Sequence, residues 1–103
     1  MKSSDFLALA ALKRSTVSVD GNTVHVREMS VAERAKFLSM ADKDAALAPA
    51  FLVQSCAINE DGSQMFTEKD AAALAASSPR IIDAVATAVM EISRIRGDDD
   101  PNA

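Results

Sequence analysis

One histidine, one cysteine and an acidic turn are the places where this 103-residue chain has side chains of a type that could do chemistry. His25 lies in Thr23-Val24-His25-Val26-Arg27, where valine alternates with polar residues as in a strand, turning the imidazole away from the valine face. A general base needs a nucleophile or an orienting carboxylate beside it, and Arg27 and Glu28 are the only local candidates, so His25 reads as an exposed strand residue. Cys56 sits in the most apolar stretch of the chain with no second cysteine, and there a thiol reads as a small core hydrophobe. The segment Asn59 to Glu68 resembles a calcium loop only superficially. With Gly62 in the sixth position and Glu68 in the twelfth, the first ligand position falls on Ala57, which has no side-chain oxygen. One Cys and one His cannot complete a zinc site within a chain, and three scattered glycines make no phosphate loop. A helix-turn-helix around Asp42 to Ala48 fails as well, because its second helix, Pro49 to Ile58, carries no Lys or Arg. No catalytic set, metal or cofactor is expected, and a binding or assembly module is what remains.

The elements that would position these residues follow from periodicity. Ser4 to Lys13 carries Phe6, Leu9 and Ala10 at helical spacing with Ser4 or Asp5 as cap, a short N-terminal helix or arm over residues 1–14. Thr16 to Val26 alternates valine with polar residues around a turn cluster, the pattern of a β-hairpin. With Gly21-Asn22 as the two turn residues, Val19 lies opposite Val24 and Val17 opposite Val26, so all four valines share one face. Ser30 and Glu33 form a capping box, after which Val31, Ala35 and Leu38 make an apolar stripe flanked by Phe37 and Ala41. A helix apolar nearly all round, beginning near Asp44 or at Pro49 and running through Phe51, Leu52, Val53, Cys56 and Ile58, reads as the central one. Asn59 to Ser63 is a turn, Met65-Phe66 an extended piece, and Thr67 with Asp70 opens an Ala-rich helix to about Ala76. Ser78-Pro79 opens the last helix, with Ile81, Ile82, Val85, Val89 and Ile92 on its apolar side, Met90 among polar residues, and Gly97 as its stop. The fold class is α+β, mostly α, with the N-terminal β-hairpin packed on a bundle of about four helices. Residues 15–96 form one domain and 97–103 a disordered acidic tail.

Composition agrees with that class and narrows the function. Hydrophobic residues make up 49% of the chain, but many are alanine, so the core is made by closely approaching helices. Four Phe with no Trp or Tyr argue against base stacking or an aromatic-lined pocket. The net charge of -4 belongs mostly to Asp98, Asp99 and Asp100, so the body is nearly neutral and neither nucleic acid nor membrane is an expected partner. Phe6 to Leu12 is too short for a signal peptide and is followed by Lys13-Arg14, and a single cysteine suits a reducing cytoplasm.

The order of motifs adds a positive indication. A hairpin ending in Val24-His25-Val26-Arg27-Glu28-Met29-Ser30, a helix continuing Val31-Ala32-Glu33-Arg34-Ala35-Lys36-Phe37, and the turn Glu60-Asp61-Gly62-Ser63-Gln64-Met65-Phe66-Thr67 come in turn. Together with the closing amphipathic helix, this order resembles the tail assembly chaperones of long noncontractile-tailed bacteriophages over about residues 16–96. The resemblance implies a small helical adaptor of the host cytoplasm, not an enzyme. It would bind the tape measure protein, help recruit major tail tube protein subunits, and be capable of forming a homo-oligomer. It brings no established functional residue onto these positions. Helix geometry instead points to Phe37 and Met40 on one helix and Met90 and Arg94 on another as partner-binding candidates, methionine being unbranched and adaptable. A small phage or prophage regulatory protein that binds a host factor is the competing reading.

Overall fold

Asp20 and Gly21 both take left-handed backbone, at φ 51° and 79°, the pair of values that a two-residue type I′ turn requires. This turn joins β1 (Arg14–Val19) to β2 (Asn22–Arg27). The computed structural model describes residues 1–94; the expected helix stop at Gly97 and the acidic tail lie outside them. The register pairs Val17 with Val24 and Val19 with Asn22, so Asp20-Gly21, not Gly21-Asn22, forms the turn. The twist of an I′ turn matches that of the strands, and Asp tolerates left-handed backbone. The correction moves the register by two residues, and an even shift leaves every side chain on its face. All four valines therefore still point to one side, with Val26 fully buried and Val19 nearly so.

That face lies against α5 (Pro79–Ser93), which also packs on α3 (Ala48–Cys56). Because α5 is covered from two sides it buries a broad arc, Ile82, Val85, Ala86 and Val89, with Met90 half-buried against the core. The expected polar position of Met90 is thereby corrected. The helix runs to Ser93, with Arg94 left-handed at φ 59° as its cap. Before it come a 3-10 turn (Glu68–Asp70), capped by Thr67 and Asp70 as expected, and α4 (Ala71–Ala75).

The central helix α3 is shorter than its apolar run. Ala57 and Ile58 leave it as β3, pairing antiparallel with Val26 and His25 to make a three-stranded sheet of order β1-β2-β3. Gly62, at φ 91°, then reverses the chain beneath the Arg14 guanidinium. Replacing Gly62 with Ala lowers stability by about 1–2 kcal/mol. Most of that loss persists when Arg14 is also shortened to Ala, because the cost is in the backbone while the arginine can move aside. Urea unfolding of the single and double variants measures it.

The helix α2 (Val31–Lys43) begins with the expected capping box: the Glu33 N–H donates to Ser30 Oγ at 3.2 Å and the Ser30 N–H to Glu33 Oε1 at 2.9 Å. Its orientation is opposite to the expected one. Val31 is 90% and Leu38 49% exposed, while Phe37 is buried at 7%. At about 100° per residue Glu33, Phe37 and Met40 share one arc and Val31, Ala35 and Leu38 the opposite one. Two inward groups outweigh the valine stripe: Phe37 buries more surface than Val31 would, and Glu33 meets a cation. The N-terminal helix α1 (Ser3–Leu9) is capped at Lys2, not at Ser4 or Asp5, because the Asp5 carboxylate reaches back as N3 to accept from the Lys2 N–H; the helix buries no residue. Among the described residues no helix is long and apolar enough to cross a membrane.

Candidate functional site

On α3, Ala48, Ala50, Leu52, Val53, Ser55 and Cys56 are buried, and the arc that carries Phe51 and Gln54 is left open between α2 and α4. This arc is the floor of a groove of about 250 Å³ whose walls are Met40 from α2, Leu47 from the connection, and Ala71, Ala72 and Ala75 from α4. The groove continues past Phe51 and Gln54 into a second segment of about 250 Å³ lined by Lys36, Ser55, Gln64 and Glu68. One end is thus apolar and the other carries opposite charges. Lys36 Nζ lies 5.6 Å from the centre of the Phe51 ring, a distance at which the ring face attracts the ammonium and holds it at the junction.

Small residues decide what fits. Ala71, Ala72 and Ala75 are exposed, and with no atoms beyond Cβ they let another backbone approach closely. Leu47 is 43% exposed, and Met40 and Phe51 are half-buried. The groove is thus an apolar channel with one charged end, bounded by helices.

A larger cavity, about 470 Å³, opens on the other side of the molecule, where the short β3 leaves the edge of β2 uncovered above Ile58, Phe66, Leu74, Ile81 and Val85. His25 is at its mouth, half-buried rather than exposed, because β3 pairs alongside it. Among the described residues no side chain is hydrogen-bonded to the imidazole. The Cys56 thiol, with no exposed surface, is pushed up to about 12, first by burial and then by the Glu33 carboxylate, so the neutral thiol is the form present near pH 7.

Of the four positions singled out by helix geometry, Met40 alone lines the groove. Phe37, one turn away, is packed into the core at 7% exposed. Met90 packs against the core from α5, and Arg94 is exposed beyond the end of that helix; the structure does not bring either to the groove. Leu47, Phe51, Ala72 and Ala75 escape sequence reasoning. The signal available for the two alanines is the Ala-rich helix with Leu74 as its single large apolar residue, which buries one side and leaves a smooth one.

At the polar end of the groove, which Glu33 also lines, an ion pair ties the start of α2 to the end of α3. Arg27 Nη1 donates to Glu33 Oε1 at 2.7 Å and Nη2 to Glu33 Oε2 at 2.8 Å, while Nη2 also donates to the Ser55 carbonyl at 2.7 Å. The guanidinium holds the Glu33 carboxyl below its ordinary range, and the carboxylate in turn raises the arginine.

No family model and no curated protein matches the sequence. The solved structure of the bacteriophage HK97 tail assembly chaperone is similar to this chain, with a TM-score of 0.67 at 15% identity, over 87% of this chain and 98% of that one. The likeness is one of fold and spans nearly the whole of the other protein.

Proposed function

We propose that this chain is a tail assembly chaperone of a long-tailed phage. In this reading it holds an amphipathic helical stretch of the tape measure protein along the groove between α2 and α4. It thereby keeps that client soluble in the host cytoplasm and helps recruit major tail tube protein subunits, with no catalysis of its own. The observation that carries the reading is the open arc of α3, an apolar, alanine-walled channel in an otherwise buried helix. The fold it shares with the phage chaperone supports the same class of work, and the methionine and leucine on the walls suit a client whose apolar residues vary along its length.

Co-expression with the candidate tape measure protein raises the soluble yield of that protein, and the two co-purify. Clean separation of the pair at micromolar concentration, with no gain in solubility, overturns the reading.

A further inference from the structure

Among the described residues both halves of a helix-in-groove contact are present and neither is used. Phe6 is 58%, Leu7 69%, Leu9 74% and Leu12 40% exposed on or just after α1, a helix with no buried residue. The groove of the preceding sections is open in the same molecule. We propose that α1 is an exchanged arm: in a two-fold pair of copies, each α1 lies in the groove of the other and covers it until a client takes its place. The inference rests on the groove being a receptor for amphipathic helices, and it names the regulation of that site.

Three observations favour a second copy as the occupant. The lengths agree, because the 9 residues of α3 that floor the groove rise about 13 Å and the 7 residues of α1 about 10 Å. The charges agree as well. Lys2 and Asp5 sit at the start of α1, and with that end laid over the polar segment they face Glu68 and Lys36, while Phe6 and Leu9 lie over Met40, Phe51 and Ala72. The area is also sufficient. The exposed apolar side chains of one arm on the Phe6 and Leu9 arc, with Leu12 beyond it, amount to roughly 300 Å² on the scale of typical side-chain areas. Two arms and two grooves together bury roughly 1,200 Å², the lower bound of a standard stable interface. A single arm in a single groove falls short of it, so the symmetric exchange is the favoured form.

Sedimentation equilibrium of the full chain over a concentration series tests the arrangement. The expected result is a reversible dimer for the unmodified protein. Phe6→Asp combined with Leu9→Asp gives a monomer, and so does Ala72→Glu combined with Ala75→Glu; mixing the two variants restores dimer, through the one intact arm and the one intact groove. All of these changes lie at exposed positions, and circular dichroism checks that each variant is folded. The arm variant also binds a synthetic tape measure helix several-fold more tightly than the unmodified protein, because no arm competes. A protein that is monomeric throughout, or a dimer that survives either change, overturns the exchange. A monomer that still binds the synthetic helix does so while leaving the chaperone reading standing. A dimer that needs both arm and groove but binds no such helix supports the exchange and removes the chaperone reading instead.

Discussion

Replacing Arg27 with Ala lowers the stability of the fold by about 3 kcal/mol, a large share of what a chain of this size has to lose. The arginine and Glu33 side chains are only 21% and 24% exposed, and their forked contact is joined by the Ser55 carbonyl. Removing the cation leaves a partly buried carboxylate and a helix-end carbonyl without their partner, a larger cost than the net value of the pair itself. The geometry adds a second reason. Ser55 is in the last turn of α3 and Glu33 in the first turn of α2, so the cation meets the negative end of one helix dipole while the anion meets the positive end of another. Arg27→Lys restores less than half of the loss, since an ammonium cannot reproduce the two parallel hydrogen bonds. The carboxyl of Glu33 is held below its ordinary value of 4.5. The stability it contributes is therefore complete above about pH 4.5 and is lost as the pH falls through the lowered folded value. Urea unfolding at neutral and acidic pH measures both effects. A loss under about 0.5 kcal/mol at neutral pH would show that the pair is an ornament of the surface.

Placing a charge on the alanine wall is expected to do the opposite: to leave the fold alone and abolish its use. Ala72 is exposed on α4 and faces the groove. Ala72→Glu costs the helix a few tenths of a kcal/mol, yet it puts a carboxylate where an apolar client residue must sit. Burying that carboxylate unpaired lowers the affinity for a tape measure helix by about 2 kcal/mol, roughly thirtyfold. Ala72→Ser, which adds a single small hydroxyl, costs much less. Fluorescence anisotropy with a labelled synthetic helix reads the affinity, and the midpoint of thermal unfolding, unchanged within a few degrees, separates binding from folding. Undiminished binding by the folded Glu variant would place the client elsewhere, with the larger cavity beside His25 as the next surface to block.

These two residues also mark how far the sequence could be read. The capping box of Ser30 and Glu33 is legible because it is local, four consecutive residues answering the unpaired amides of a helix start. That Glu33 also meets Arg27, and Arg27 the far end of α3, is not legible, since those groups are brought together by the packing of three elements. The stretch from Val26 to Phe37 supplies both charged partners of this joint, Arg27 and Glu33. The same limit appears in α2, where local spacing offered two apolar arcs and the richer-looking one, Val31, Ala35 and Leu38, faces solvent. The two-residue β3 is too short for any periodicity to announce, and without it the hairpin pattern leaves His25 exposed, whereas its pairing with Ile58 half-buries the residue.

By itself the sequence determined the fold class, the hairpin with its valine face, and the helix starts at Ser30, Thr67 and Ser78, all of which follow from interactions a few residues apart. The tertiary structure decided the hairpin register, which arc of each helix turns inward, and where a surface remains open. Those outcomes depend on which of several competing apolar faces buries the most surface when all the elements pack at once. Met40 could be singled out as an adaptable surface residue, but only the packing of α2 and α4 on either side of α3 makes it one wall of a groove.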